Sequence, residues 1–462
     1  EFIHAIDNWL LFKERNLYLW DDTAWVKKGG DVWMVPTEEI YDAFGFGRKD
    51  PVAIRNFLKF ESDTYGTPPT YLLLLGDGHY DYKGYITNTG NLVPPYEPYE
   101  IFDVNAEMDG ALDDFYADMD WSGSGIPTPD MYLGRIPVRT TSQAAICFRK
   151  SMRYEQGEAN GPWRNRVLFV ADDEFAEDSA EAFHTNDAND LYVNHTPSTI
   201  EGDKVYLIEI MPVSERGRLG HDALIEAFNR GELIAIAFMH GNPITMTHEH
   251  IFQAPLDYPL INAGPRNSLW VIGSCKISAF DRLTPPAVIG EDWCLREGGA
   301  IGVISSTTLS YPPSNRVYSR NILDQLVDYS VVPQGVLCVN AKSANQDKYY
   351  ILLGDPSVPI GYPRPSLSLT VEGEKANGEK VRDTLYLNYE AFYTGSSAIS
   401  PRVFVRSFEP EKDTTYYWKI IVWDEDGYKN ESMIWQFTTQ QKPNSLPIIF
   451  DENPVSYTHL TL

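Results

Sequence analysis

The sequence predicts an α/β unit built on a mainly parallel sheet with flanking helices, followed by an all-β sandwich. Short, continuous apolar runs of strand length recur between helical patterns up to about Pro363, as expected for strands covered on both faces. Beyond Pro363 the runs alternate apolar with polar residues and are separated by turn residues, as in packed antiparallel sheets. A chain of 462 residues can hold two to four domains, at roughly 100–200 residues each.

Phe2 to Leu17 carries apolar residues at helical spacing (Phe2, Ile6, Trp9, Leu10, Phe12) and reads as an amphipathic helix. A second helix starts at Asp50-Pro51, where Asp suits the N-cap and Pro the first helical position. Strands are expected at Tyr71–Leu75, stopped by Gly76-Asp77-Gly78, and at Met131–Ile136, Arg166–Ala171, Leu233–Phe238, Leu269–Ile272 and Ala300–Ile304. Helical stretches lie between several of them, among them Ser142–Tyr154 and Asp222–Asn229. The alternating strands that follow are Ser366–Val371, Asp383–Leu387, Tyr416–Trp423 and Ile434–Thr439. These patterns divide the chain into 1–160 and 161–362 as two parts of the α/β unit, 363–440 as the sandwich and 441–462 as a tail. Val455–Leu462 resembles an adapter-derived tail, and both ends are expected to be truncated.

Composition removes several functions. A net charge of −27 opposes nucleic-acid binding, which needs basic side chains to displace phosphate counterions, and disfavours an anionic membrane surface. The longest apolar run, Leu233–Met239, is seven residues, so no transmembrane segment is expected. Four cysteines, Cys147, Cys275, Cys294 and Cys338, are too sparse for a disulfide framework, and no paired-cysteine spacing points to a zinc ribbon.

Ligands of open α/β sheets sit beyond the carboxyl ends of the strands, so the residues just after each strand carry the interest. Leu233–Met239 runs into His240-Gly241, Leu269–Ile272 into Gly273-Ser274-Cys275, and Arg166–Ala171 into Asp172-Asp173-Glu174. A cysteine, a histidine and acids at neighbouring strand ends are the parts of a thiol nucleophile, its base and an orienting carboxylate. A glycine after the histidine lets a backbone N–H approach closely, as an oxyanion hole requires. Each residue also has an ordinary reading. A cysteine ending a buried strand is as a rule a small core hydrophobe, and a lone loop histidine is usually just hydrogen-bonded. Cys147, Cys294 and Cys338 are read as structural, and His4 and His79 as surface or loop residues.

Beyond these spacings, Ala235–Arg320 resembles the gingipain family of cysteine peptidases, whose clan has a caspase-like, Rossmann-like fold. The matching residues are His240-Gly241, Cys275, Phe280-Asp281, Gly290-Glu291, Gly298-Gly299-Ala300-Ile301 and Ser305-Ser306-Thr307-Thr308. Tyr71–Asp77, Asp81-Tyr82-Lys83-Gly84 and Leu133–Val138 fit the same pattern upstream, and Leu353-Gly354-Asp355-Pro356-Ser357 closes it. Within the family the likeness is nearest to the sortase-like peptidases of the type IX secretion system, through Ile40-Tyr41 with Phe44, Ala53–Leu58, Ala171-Asp172-Asp173 and Ser274-Cys275. The resemblance spans about residues 1–362. Departures are Met239 before the base, where glycine is common, Asn242 where a small residue is common, and an apparently missing first strand. The segment after Tyr362 looks like a fibronectin type III or immunoglobulin-like module rather than the usual tail of that subgroup.

The resemblance implies Cys275 as nucleophile, His240 as general base and acid, the backbone N–H groups of Gly241 and Cys275 as oxyanion donors, and one of Glu174, Asp173 or Asp172 as orienting acid. It implies no cofactor for catalysis, but structural calcium through Asp77 and Asp130, with Asp120 as a carbonyl ligand. Acids gathering in loops are hard oxygen ligands, although a clustered acid face is commonplace at this net charge. Partners would be a protein or peptide substrate and secretion-system or cell-surface proteins, and the location secreted or at the outer membrane or cell surface of a bacterium. The segment Asp178–Asp190 would line the specificity pocket, with Asp187 selecting basic side chains. Zinc at His240, His248, Glu249 and His250 is disfavoured, because the spacing lacks the turn-apart pair of histidines that such sites use. The alternative function is a non-catalytic assembly or adhesion module that keeps the fold.

Overall fold

The computed structural model describes residues 3–87, 90–98, 110–120, 128–173, 182–197, 200–283, 287–343 and 345–361, and beyond them the strands of the C-terminal part. The chain divides into two units, Glu1–Tyr362 and Pro363–Leu462.

The first unit is built on one eight-stranded sheet. Its strands are β1 (Tyr71–Leu75), β2 (Tyr132–Ile136), β3 (Arg166–Ala171), β4 (Glu201–Tyr206), β5 (Ile234–Phe238), β6 (Leu269–Gly273), β7 (Gly302–Ser306) and β8 (Tyr350–Gly354). Their spatial order is β1-β2-β8-β7-β6-β5-β3-β4. Every neighbouring pair is parallel except β7 with β8. The sheet is therefore two parallel blocks of opposite direction: three strands (β1, β2, β8) and five (β7, β6, β5, β3, β4). The mainly parallel sheet expected from the apolar runs is present, and it passes through both halves of the α/β unit.

The helices are α1 (Ile3–Asn16), α2 (Thr37–Phe44), α3 (Pro51–Tyr65), α4 (Thr141–Glu155), α5 (Phe183–His195), α6 (Arg216–Arg230), α7 (Ile289–Leu295), α8 (Pro312–Tyr329) and α9 (Gln334–Asn340). Asp50 caps α3 by accepting the Val52 N–H at 2.9 Å, with Pro51 at the first helical position, as the sequence predicts. Thr140 and Gln143 close a capping box at α4, which the sequence reading did not pick out. On one face of the five-strand block, Ala188 and Leu191 of α5 and Tyr318 and Ile322 of α8 pack with Phe169, Phe238 and Val271. On the other face, Leu224 and Phe228 of α6 and Trp293 of α7 pack with Leu168, Ala237 and Trp270. This double cover is why β3, β5 and β6 are apolar at successive positions. The three-strand block is covered in the same way, by α2 and α3 on one cluster and α1 and α4 on another.

One detail departs from expectation. The apolar run of β1 lies at the sheet edge, where most of it is only partly buried, and not at the centre. His79 lies in the loop after β1, buried there with its backbone and ring held by the Asn91 side chain. The His4 side chain lies outside the described residues. Cys147, Cys294 and Cys338 are buried and unbridged on α4, α7 and α9, in keeping with a structural role. Among the described residues no helix is long and apolar enough to cross a membrane.

In the second unit the described strands pair antiparallel in the order Lys380–Asn388, Ser366–Glu374, Thr415–Trp423, Lys429–Glu431, with Trp435–Thr438 also on Thr415–Trp423. A short hairpin joins Tyr393–Thr394 to Ser397–Ala398. All four expected strands are present; the described residues form one sheet and this hairpin.

Candidate active site

The register of three adjacent parallel strands brings the chemistry together. Ala171 of β3 lies opposite Phe238 of β5, and Phe238 opposite Gly273 of β6. Asp172 follows β3 by one residue, His240 follows β5 by two, and Cys275 follows β6 by two. The three chains thus leave the sheet at one edge, each a strand spacing of on the order of 5 Å from the next. His240 is on the middle strand, with the acids on one side and the cysteine on the other. Main-chain bonds continue the alignment past the strands: the Asp172 N–H donates to Phe238 O at 3.0 Å and the Met239 N–H to Gly273 O at 3.3 Å.

Cys275 is partly exposed and opens a sharp turn. The next residue, Lys276, has φ 59, a left-handed conformation that costs a non-glycine residue on the order of 1 kcal/mol. The turn is held by the Lys276 N–H, which donates to Thr308 O at 2.9 Å. The Ser310 N–H points at the Cys275 Sγ at 3.5 Å. Behind Ser310, Asn315 of α8 donates to its hydroxyl at 3.3 Å and accepts from the Tyr350 hydroxyl at 2.7 Å. The sulfur therefore faces Ser310, which is held from behind by Asn315 of the same segment and, through it, by Tyr350 of β8; the strand-end argument could reach none of them.

His240 is partly buried, and burial first, then the neighbouring His248, hold its imidazole below the ordinary histidine range. Its ring meets His248 at 4.8 Å between centroids and His184 of α5 at 5.4 Å. The Asp172 carboxylate accepts the backbone N–H of His240 at 2.9 Å and that of Asp173 at 2.9 Å. Asp172 thus fixes the position of the base through its main chain. Burial pushes the Asp172 carboxyl up to about 8, with Glu249 and Asp173 adding repulsion and the two N–H donors pulling the other way.

Asp173 is fully buried and pairs with Arg216 of α6 at 2.5 Å, while its other oxygen has no hydrogen-bond partner among the described residues. Arg216 also donates to the carbonyls of Ile208 and Ile210 at 3.2 Å each, tying the loop after β4 to the site. Glu249 completes a group of three carboxylates with Asp172 and Asp173, whose facing oxygens lie within 4.8 Å of one another. Burial and the Asp173 charge raise the Glu249 carboxyl. Glu174, one of the three candidates for the orienting acid, lies outside the described residues.

Gly241 starts a small antiparallel sheet of Gly241–Asn242, Thr245–Met246 and Phe252–Gln253. A Cβ here would meet the buried Ser274 Oγ at 2.5 Å, so only glycine lets the chain after His240 lie against the chain before Cys275. Both oxyanion candidates of the sequence reading thus stand on adjoining segments.

Of the residues implied as calcium ligands, Asp120 and Asp130 come together with Asp118, one carboxylate oxygen of each within 4.8 Å of the others, so Asp120 enters the group by its carboxylate and not by the carbonyl expected of it. Asp118 accepts from the Asp120 N–H at 3.1 Å and the Thr128 N–H at 2.6 Å; Asp130 accepts from Met119 at 2.8 Å. Three converging hard oxygen donors fit a calcium ion. Asp77 is instead buried in an ion pair with Arg139 and is not among them. Asp187, expected to select basic substrates, faces Arg316 at 3.7 Å, so its charge already has a partner.

The chain matches the model of Peptidase family C25 over residues 18–361. Among solved structures it is similar to the complex of Porphyromonas gingivalis RgpB pro- and mature domains, at 14% identity and TM-score 0.58, covering 95% of this chain and 98% of that one. It is also similar to the Arg-specific cysteine proteinase gingipain R (RgpB), at 13% identity and TM-score 0.56, over 95% and 96% of the two chains. A third structure, described as a protease, shares 15% identity at TM-score 0.56 over 95% of each chain. No curated protein is similar enough in sequence to match. At these identities the structural likeness shows the mixed α/β fold, and the family model shows the kinship.

Proposed function

The chain belongs to peptidase family C25 and is a cysteine-type peptidase with protein as its substrate, and on that premise we propose that Cys275 and His240 form its catalytic dyad. The observation that carries the proposal is the strand register, which brings Cys275, His240 and the Asp172–Asp173 pair to one edge of the sheet. The Cys275 thiol gives its proton to neutral His240, and the thiolate attacks the substrate carbonyl carbon. The backbone N–H groups of Gly241 and Cys275 hold the oxyanion. His240 returns the proton to the leaving amine, leaving a thioester on Cys275. Water deprotonated by His240, or an amine, then cleaves the thioester.

The orienting acid belongs to the run Asp172-Asp173-Glu174. Asp172 is engaged with the base's main chain and Asp173 with Arg216, while Glu174 lies outside the described residues. Asp118, Asp120 and Asp130 would hold a structural calcium, which would cross-link the loop on which they lie. Transfer to an amine would make the enzyme a sortase of PorU type in type IX secretion, acting on secreted proteins at the bacterial surface. The C-terminal strands would complete an immunoglobulin- or fibronectin-III-like sandwich.

The test is digestion of a peptide library with and without an added amine, using Cys275→Ala as control. New carboxyl termini support hydrolysis and amine-capped termini support transfer. Library cleavage that persists in Cys275→Ala would remove the thiol from the reaction.

A further inference from the structure

We infer that His184 is a positioning residue that keeps the His240 ring dry and fixed in place. This rests on the reading of His240 as general base. His184 is the second residue of α5, is 3% exposed, and meets the His240 ring edge to face at 5.4 Å and 79°. His248, also in contact with that ring, is exposed. The base therefore touches one imidazole on the protein side and one that water reaches.

The two contacts act differently. Burying an imidazole is more costly than burying a leucine or phenylalanine of similar size, so packing alone would favour an apolar side chain here. Burial first, then the neighbouring His240, press His184 down to about 4, so at neutral pH it is uncharged and does not compete for the Cys275 proton. Asp172 fixes where the His240 main chain sits, but the ring torsions are restrained by what packs on the ring. His184 is the buried part of that packing. It also keeps water from that side, which favours the neutral, proton-accepting form of His240.

Among the described residues the titratable groups around His240 are His184 on α5, His248 on the hairpin after β5, Asp172 at the end of β3 and Cys275 at the end of β6; the candidate acid Glu174 lies outside them. Asp173 and Glu249 stand behind Asp172. Of these described groups, His184 is the one that covers the ring with a buried, neutral side chain.

The test is the pH dependence of kcat/KM for the full chain on a cleaved peptide, with the rate of Cys275 alkylation by iodoacetamide followed in parallel. His184→Ala opens the wall to water, so the acid limb should move up by on the order of half to one pH unit and kcat fall on the order of tenfold. His184→Phe keeps a dry wall and should leave the limb near its wild-type position. Should the alanine variant not fold, His184→Asn, which is shorter and admits water, should show the same upward shift. A folded His184→Ala or His184→Asn enzyme whose acid limb stays at the wild-type pH overturns the inference. So does a His184→Phe enzyme shifted as far as the alanine variant. His240→Ala separates the two claims: if it keeps the wild-type alkylation profile, the base assignment itself is wrong.

Discussion

In the three-strand block, Arg135 of β2 and Asp113 meet as a buried bidentate pair, at 2.8 and 2.7 Å, and Lys13 of α1 lies between Glu155 and Asp355. At the carboxyl ends of the five-strand block the pattern reverses. Three carboxylates, Asp172, Asp173 and Glu249, crowd together with Arg216 at only one of them, and three imidazoles stand beside them. The backbone follows suit: of the six non-glycine residues with positive φ among the described residues, Thr247, His250 and Lys276 lie in the segments around His240 and Cys275. Buried charge in one block is matched by opposite charge and holds the fold. In the other, like groups and strained turns are kept together, which is where a folded chain places chemistry at the expense of stability.

This contrast can be broken from either side. The largest effect is expected in the three-strand block. Asp113→Ala strands the buried Arg135 guanidinium and should lower stability by on the order of 3–5 kcal/mol, read as the fall in urea midpoint. Asp172→Ala should do the opposite, leaving the melting temperature near wild type while kcat/KM falls on the order of 100-fold, because His240 loses its main-chain anchor. A large drop in melting temperature with activity per folded molecule intact would put Asp172 with the structural acids.

The pH dependence sharpens the same division. The folded state holds the Asp172 carboxyl up at about 8, well above its unfolded value near 4, so its contribution is fully present below pH 4 and is lost as the pH rises through 8. Asp172→Asn cannot ionise. Its stability relative to wild type should therefore rise between pH 5 and pH 8, by on the order of 2 kcal/mol in urea unfolding.

Much of this was legible in the sequence because covered parallel strands must be apolar without interruption, and β3, β5 and β6 announce themselves that way. Reactive residues directly after such strands could be found by counting. What escaped has physical reasons too. β4, Glu-Gly-Asp-Lys-Val-Tyr, is a sheet-edge strand whose first residues face water, so it carries no apolar run. His184 lies in a helix without a clear apolar stripe, and Ser310, Asn315 and Tyr350 reach Cys275 only through folding. The third carboxylate of the edge, Glu249, was visible only as part of an unsuitable zinc pattern. The Arg139 partner of Asp77, an acid implied as a calcium ligand, could not be read from sequence order.

The smallest expected effect concerns the acids of the three-strand block's loop. Calcium should raise the melting temperature by an amount equivalent to about 1 kcal/mol, and Asp130→Asn should abolish the rise without changing activity at saturating calcium. A calcium response that survives in Asp130→Asn would move the ion elsewhere.

The most direct test of the account is labelling of the folded protein by a peptide-based electrophilic thiol probe, located by mass spectrometry. The wild type should be labelled at Cys275 and not at the buried Cys147, Cys294 or Cys338, with labelling lost in Cys275→Ala and slowed on the order of 100-fold or more in His240→Ala. A folded wild-type protein left unlabelled, or labelled equally in His240→Ala, would contradict a catalytic centre at these strand ends.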